Sequence, residues 1–402
     1  MLALLAVAQF LGMTLWFSAT AASSTIATEF SLSDSATAWL TMAVQGGFVI
    51  GTLISALINL ADVINARRLF AIGCALGAVA NASIAYATET TTIIALRWCT
   101  GAALACVYPP GMKIAAGWFL DRRGTALGIL VGAVGLGSAF PHLLAWTAAD
   151  VSWRALMVSS SMLALCGGAI VGLLVKDGPH VAASAPFDSH AIGAVIRNRG
   201  VRLSTFGYLG HMWELYAMWT WMAAFAAASL RSSGFAHART ASLVAFMAIA
   251  SGAVGCVAAG IWADRWGKAR IARFALLTSA CCSAAAGFFY GAPLPALLLL
   301  AVVWGFSIVA DSAQFSTLVT EHSARTHVGT ALTLQTCAGF LLTMVSMRMV
   351  PLIAAWAGWQ WGFLLLVPGP VLGAAAMRRL ESTSAPEHRG TPAPRHPGTQ
   401  PT

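Results

Sequence analysis

Gly260-Ile261-Trp262-Ala263-Asp264-Arg265-Trp266-Gly267-Lys268-Ala269-Arg270 is a charged segment that lies between two apolar runs, 241–262 and 272–291. Each run has about twenty residues, the length that an α-helix needs to cross the ~30 Å hydrocarbon core of a bilayer. A short connection that contains a glycine favours a tight turn. The segment therefore predicts two adjacent membrane-spanning helices that are joined on one side of the membrane.

The rest of the chain repeats this arrangement. Only 9% of its residues are charged and 58% are hydrophobic, whereas a water-soluble domain carries roughly 25% charged residues. We therefore predict an all-α integral membrane protein with twelve transmembrane helices. The predicted spans are 2–22, 36–60, 69–88, 93–117, 125–147, 154–175, 203–229, 241–262, 272–291, 296–319, 329–353 and 360–377.

The basic residues predict the orientation of these spans. The formal net charge of +9 comes from lysines and arginines that lie in short clusters between the apolar runs. Nearly all of the clusters fall on the side of the membrane that the N-terminus occupies, and this side is the cytoplasmic one by the positive-inside rule. We predict a multi-pass protein of the cell (cytoplasmic or inner) membrane with both termini in the cytoplasm. The same distribution argues against a nucleic-acid partner.

The chain divides into two similar parts. The longest polar connection, 176–202, is predicted to be a cytoplasmic linker between an N-terminal six-helix half, 1–175, and a C-terminal six-helix half, 203–380. Residues 381–402 are rich in Pro, Thr and Gly and are predicted to form a disordered cytoplasmic tail. Gly124-Thr125-Ala126-Leu127 recurs as Gly329-Thr330-Ala331-Leu332. Together with similar loops after spans 2 and 8, this repeat indicates an internal duplication and two pseudo-symmetric halves.

The segment quoted first resembles the G-x-x-x-D-R-x-G-[RK]-x-[RK] loop of the major facilitator superfamily, and it lies between spans 8 and 9, where that family carries a second copy. The resemblance implies a transporter whose halves rock around a central site. It also implies that the loop is a gate, in which Asp264 binds a helix N-terminus or an arginine. The first-half loop keeps the acid and the basic cluster but lacks the adjacent arginine and the glycine. The predicted gating residues are Gly260, Asp264, Arg265, Gly267, Lys268, Arg270, Asp62, Arg67 and Arg68.

A second resemblance concerns the connection between spans 4 and 5. Trp118-Phe119 followed by Arg122-Arg123-Gly124-Thr125-Ala126-Leu127-Gly128 is similar to the linkage in superfamily branches that move nitrate or nitrite, oxalate or formate, and cyanate. This resemblance implies a small anion as the substrate. Nitrate porters carry a mid-membrane arginine in spans 2 and 8, and runs 36–60 and 241–262 have none. Nitrate itself is therefore disfavoured.

Ionisable side chains at membrane depth are costly, so each is a functional candidate. In span 7, Tyr208, His211, Glu214 and Trp221 recur at helical spacing on one face, with Glu214 near the bilayer midplane. A histidine one turn from a carboxylate can exchange protons with it. We predict that this face couples transport to protons or binds substrate. The alternative is a structural Glu–His hydrogen bond.

Other spans supply further candidates. Asp311 and Gln314 share a face of span 10, where Asp311 has either a transport role or a structural partner such as Lys113. Arg97 matches an arginine that the superfamily often carries in span 4, which implies proton transfer, or it extends to the membrane surface. The remaining cavity candidates, each of which could instead form an interhelical hydrogen bond, are Trp16, Gln45 and Gln335.

These observations favour a secondary active transporter that is coupled to protons and moves a small solute, with a small organic or inorganic anion as the first candidate. The alternative is a proton-driven efflux pump for drugs or cations, which an acidic, aromatic cavity would suit. An intramembrane enzyme is disfavoured because no H-E-x-x-H or G-x-S-x-G motif occurs. We expect no cofactor and no metal. The expected partners are the small-molecule substrate, protons and the lipid bilayer, and the expected state is a monomer.

Overall fold

Helices make up nearly all of the structure, a computed structural model that describes residues 1–119, 123–147, 152–180, 187–234 and 238–383. The described residues contain no β-strand. Arg122 and the predicted tail from residue 384 onward lie outside the described residues.

The first half consists of spans 1 to 6 and their connections. Its α-helices are α1 (Leu2–Met13), α2 (Ser18–Ala21), α3 (Ser23–Glu29), α4 (Asp34–Leu57), α5 (Leu60–Val63), α6 (Ala66–Ser83), α7 (Thr90–Leu104), α8 (Tyr108–Trp118), α9 (Arg123–Thr147) and α10 (Trp153–Ala169). A 3-10 turn, Ile84–Tyr86, follows α6, and a π-helical segment, Ile170–Leu174, follows α10.

The second half repeats this order after a short linker helix. Its α-helices are α11 (Ile192–Arg197), α12 (Arg199–Ser232), α13 (Ala238–Trp266), α14 (Lys268–Ala285), α15 (Leu294–Ala310), α16 (Ser312–His322), α17 (Val328–Ala357), α18 (Trp359–Gly362) and α19 (Pro368–Thr383). The 3-10 turn Ser189–Ala191 precedes α11, and three others, Ala286–Phe289, Arg325–His327 and Phe363–Leu366, lie between later helices. We call the side of the bundle that carries Arg67, Lys268 and Arg325 the basic side.

Ten helical segments of the described chain are long and apolar enough to cross a bilayer, and they match predicted spans 2 to 6 and 8 to 12. The other two predicted spans have visible reasons for failing that criterion. Span 1 is broken between α1 and α2, so α1 alone has 12 residues. Span 7 is the 34-residue helix α12, whose His211, Glu214 and tryptophans lower its hydropathy. The twelve-helix architecture is thus completed by one broken helix and one polar helix.

The two halves meet mainly through α9 against α13 and α4 against α17. Glycines on α9 face α13 at the first contact. A Cβ atom on Gly132 would lie 3.4 Å from the Ala253 carbonyl oxygen. On another face of α9, a Cβ on Gly137 would lie only 2.2 Å from the Phe10 carbonyl oxygen of α1. Gly137 therefore sets how closely α9 packs against α1.

Spans 4 and 10 are interrupted at equivalent places. Span 4 breaks between α7 and α8, where Pro109 and Pro110 lie in the first turn of the new helix. Prolines lack the N–H group that a continuous helix needs, so this interruption follows from the sequence. Span 10 breaks at Asp311, which ends α15 and precedes α16. An ionisable residue thus lies at a helix break inside the second half.

Candidate functional site

Aromatic side chains from both halves meet at the centre of the molecule. Trp16, from the break in span 1, stacks on Tyr216 of α12 with their ring centroids 5.8 Å apart. Phe48 of α4 packs against Phe340 of α17 at 4.8 Å, and Phe340 contacts Tyr216 at 5.2 Å. Trp219 lies 5.5 Å from Tyr216. We call Trp16, Phe48, Tyr216, Trp219 and Phe340 the central aromatic cluster.

Buried hydrogen-bonding groups lie in and around this cluster without partners. The indole N–H groups of Trp16 and Trp219 bind no described residue. The two polar side-chain atoms of Gln45 and the Nε2 atom of Gln335 also bind none. Gln45 precedes Phe48 by one turn of α4, which places the two on one face. A native protein leaves few buried polar groups unsatisfied, so these groups are available to bind water or a polar solute. Trp16, Gln45 and Gln335 are three of the predicted cavity residues.

His142 is a further buried group that the sequence analysis did not single out. Both of its ring nitrogens lack a partner among the described residues, and its side chain is 0% exposed. It follows Gly135 by two turns of α9, on the face that packs against α13. An ionisable residue inside the apolar run 125–147 was the signal that could have identified it.

Glu214 lies inside the second half and is fully hydrogen-bonded. Ser279 and Ser283 of α14 donate to its two carboxylate oxygens, with a Ser283 Oγ–Oε1 distance of 2.5 Å. The indole of Trp304 donates to the same Oε1 atom at 2.8 Å. The carboxylate is 0% exposed. Glu214 therefore ties α12 to α14 and α15.

The structure pairs His211 with Asp311 rather than with Glu214. The Nδ1 and Oδ1 atoms are 2.7 Å apart, and the side chains are 2% and 1% exposed. Residues three apart diverge by about 60° around a helix, which lets His211 face α16 while Glu214 faces α14. The predicted Glu–His contact is therefore wrong.

The surroundings of this His–Asp pair are polar on one side and aromatic on the other. Ser312 Oγ lies 3.1 Å from Nε2 of His211, and the rings of Tyr208 and Phe315 flank the imidazole. The partner suggested for Asp311 from the sequence, Lys113, instead binds Asp62, with an Nζ–Oδ1 distance of 2.5 Å. A buried histidine and carboxylate in contact can hold a proton between them and release it when their surroundings change.

The remaining predicted residues of the second half have structural contacts. The Trp221 indole donates to the Met347 carbonyl oxygen at 2.8 Å and ties α12 to α17. Tyr208 packs against Gly339, where a Cβ atom would lie 2.3 Å from its ring. Gln314 is buried on α16, and its backbone N–H donates to the Asp311 carbonyl oxygen at 2.9 Å.

Arg97 is fully buried in the first half, so the prediction that it extends to the membrane surface is wrong. Its guanidinium donates to the carbonyl oxygens of Leu15 and Leu40 at 2.9 Å each and to that of Trp16. It also donates to the Asn81 side-chain oxygen at 3.2 Å. Leu15 and Trp16 lie in the break of span 1, where carbonyl groups lose their helical partners. Arg97 therefore supplies the hydrogen bonds that this break removes.

The predicted gating residues form ion pairs that repeat between the halves. Asp62 pairs with Lys113 at the end of span 4, and Lys268 pairs with Glu321 at the end of span 10 at 2.7 Å. Both join the loop after the second helix of a half to the end of its fourth helix. Arg67, near the start of span 3, pairs with Asp177 after span 6 at 2.9 Å. In the second half, Arg273 near the start of span 9 pairs with Glu381 after span 12 at 3.1 Å.

The rest of the loop that resembles the family motif is exposed. Gly267 has a φ of 89°, a conformation that favours glycine, and this confirms the predicted tight turn. Asp264, Arg265 and Arg270 form no ion pair with a described residue, and Gly260 has open space beside it. No ion pair between described residues joins the two halves. A gating role for this loop stays a prediction.

Comparison with known proteins agrees with this architecture. The model of the Major Facilitator Superfamily matches residues 5–310 and 205–400. The crystal structure of a mutant of the nucleoside transporter NupG is similar, with a TM-score of 0.75 over 94% of this chain and 99% of that chain. At 15% identity this second likeness concerns the fold alone. A search of curated protein sequences finds no significant match. The family match extends along both halves, and the chain belongs to the Major Facilitator Superfamily of membrane transporters.

Proposed function

We propose that this transporter is secondary active and moves a small, uncharged, ring-bearing polar solute by alternating access, with protons as the coupling ion. The observation that carries the proposal is the central aromatic cluster and its unpartnered hydrogen-bonding groups, which both halves contribute. Once the halves move apart, a flat ring can stack between Trp16 and Tyr216, while Gln45 and Gln335 bind its polar substituents. A nucleoside combines these features, and the solved structure with a similar fold is that of a protein named as a nucleoside transporter.

An uncharged solute fits the charges near the cluster better than an ion does. Arg97 directs its guanidinium to oxygen atoms of its own half, and Asp311 faces His211. The five residues of the central aromatic cluster carry no formal charge. A small anion remains the second candidate because the connection between spans 4 and 5 resembles that of anion porters.

We assign proton coupling to His211 and Asp311. The pair is buried at the break between α15 and α16, where a change in helix geometry alters the distance between the two side chains. Tyr208 lies one turn of α12 before His211 and packs on Gly339 of α17. Helix α17 in turn contacts α4 of the first half. Movement of the halves can therefore reach the pair through this contact. As the sequence predicts, we take both termini to be cytoplasmic and the monomer to be the transporting unit.

Transport of labelled solutes into proteoliposomes tests the substrate class. The panel comprises nucleosides, aromatic amino acids, sugars, formate, oxalate and a lipophilic cation. Gln45→Met preserves volume but removes the amide, and we expect it to raise KM for the preferred solute by about tenfold, the value of one buried hydrogen bond. The matched control is Gln360→Met, since Gln360 is exposed near the end of span 11. The proposal would be overturned if oxalate or the lipophilic cation were the only solute transported. It would also be overturned if Gln45→Met and Gln360→Met had equal KM values.

A pH dye inside the vesicles tests coupling. Asp311→Asn should still exchange labelled for unlabelled solute but should no longer acidify the lumen when solute enters. Asp34→Asn removes an exposed carboxylate from the first turn of α4 and should behave as the wild type does. Proton movement by Asp311→Asn at the wild-type ratio to solute would contradict the assignment. Loss of both exchange and proton movement, in a variant that remains folded, would instead give Asp311 a structural role.

A further inference from the structure

A groove with a volume of about 700 Å³ runs along the outer surface of the second half, between α12 and α19. Its walls are apolar and include Phe206 and Leu372, which are 53% and 70% exposed. The halves meet through other helices, so this surface faces the surrounding lipid. The groove is thus separate from the central aromatic cluster.

Glycines and a tryptophan shape this groove. A Cβ atom on Gly210 would lie 2.4 Å from the Gly369 carbonyl oxygen, so α12 and α19 approach closely at this level. Trp213 lies beside the crossing, and its indole donates to the Leu365 carbonyl oxygen at 3.0 Å. The close crossing and the fixed indole form the end of the groove within the membrane.

The other end of the groove is positively charged. Arg199, Arg202 and Arg379 line it on the basic side of the bundle. Arg199 and Arg202 are exposed, lie one turn apart on α12 and form no ion pair with a described residue. Their side chains can therefore bind one phosphate together.

The length of the groove matches one leaflet. Eleven residues of α12 separate Arg202 from Trp213, which at 1.5 Å per residue is about 16 Å. Half of a ~30 Å hydrocarbon core is about 15 Å. A ligand with a phosphate at Arg199 and Arg202 can thus extend an acyl chain to Trp213.

We propose that this groove binds one anionic phospholipid from the leaflet on the basic side. The phosphate is bound by Arg199 and Arg202, and one acyl chain lies between α12 and α19. Positive charge next to a lipid-facing apolar groove is the arrangement that anionic headgroups recognise. A bound lipid would connect α12, which carries His211, with the last helix of the same half.

Native mass spectrometry of the full chain in detergent tests the proposal, with phosphatidylglycerol or phosphatidylcholine added at graded concentrations. We expect one phosphatidylglycerol molecule to stay bound where phosphatidylcholine does not. The double variant Arg199→Gln with Arg202→Gln should weaken its binding by about 30-fold. Ala375→Trp fills the groove without a change of charge and should also weaken binding.

The control removes two charges from the same side outside the groove, by Lys176→Gln with Arg325→Gln, and should bind phosphatidylglycerol as the wild type does. Equal loss in the control and in the groove variants would overturn the proposal, because binding would then follow net charge alone. Full competition by millimolar inorganic phosphate would also overturn it, since the groove would then bind the phosphate without the acyl chain.

Discussion

Replacement of Arg97 by methionine tests whether this side chain stabilises the broken first span. Methionine fills similar apolar volume but donates nothing to the carbonyl oxygens of Leu15, Trp16 and Leu40 or to Asn81. Four hydrogen bonds from a charged group contribute about 6–12 kcal/mol at ~1.5–3 kcal/mol each. Burial of the guanidinium costs several kcal/mol, roughly 5. We therefore expect Arg97→Met to lower the free energy of unfolding by about 1–7 kcal/mol, with a midpoint near 4 kcal/mol.

Reversible unfolding by SDS in mixed micelles, followed by far-ultraviolet circular dichroism, measures this difference. Arg97→Lys keeps the charge and three donors, so its loss should be intermediate. Arg154→Met is the matched control, because Arg154 pairs with Glu29 of the same half in an exposed ion pair. Equal losses in Arg97→Met and Arg154→Met would refute the reasoning, since burial of the guanidinium would then cancel all of its hydrogen bonds.

Two further predictions concern helix packing and a surface ion pair. Gly137→Ala should destabilise the protein by about 1–3 kcal/mol because its Cβ would lie 2.2 Å from a carbonyl oxygen of α1. Gly128→Ala, 3.8 Å from its nearest neighbour, should be neutral or slightly stabilising in the same SDS titration, and the opposite order would contradict the packing argument. The hydrogen bond from Arg67 lowers the pKa of Asp177 below its usual value, so the pair stabilises the fold above about pH 4 and loses this effect as the pH falls through the lowered pKa. The stability difference between wild type and Asp177→Asn should therefore shrink below pH 4, and a difference that stays constant down to pH 3 would exclude this linkage.

Most of the fold was predictable because membrane insertion depends on local sequence properties. Predicted span 125–147 agrees with the apolar segment Thr125–Thr147, and 154–175 agrees with Trp153–Leu174 within one residue. Hydropathy and loop charge act within about twenty residues, so they can be read directly from the sequence. Span 1, which is broken, and span 7, which is more polar, also fit the pattern of six helices in each half.

The site was less predictable because it depends on which helix each side chain faces. Helical spacing placed His211 and Glu214 on one face, yet they bind Asp311 and the α14 serines respectively. Their divergence of about 60° is small along the sequence but selects different neighbours in a bundle. Phe48 and Phe340 gave no signal, since the sequence contains 19 phenylalanines and only tertiary packing brings these two together.

The ion pairs and the interface together indicate how the halves can move. Among the described residues, no ion pair joins the two halves, and two kinds of pair recur at equivalent positions in both. These pairs stabilise each half as a unit. The contact between the halves instead consists of close packing by small residues such as Gly132 and of the central aromatic rings. Apolar contacts have no directional bonds, so the halves can slide or rock against each other at a lower cost than a network of ion pairs would impose. Because Trp16 and Tyr216 come from opposite halves, the same movement that opens the molecule must separate the two rings between which we place the solute.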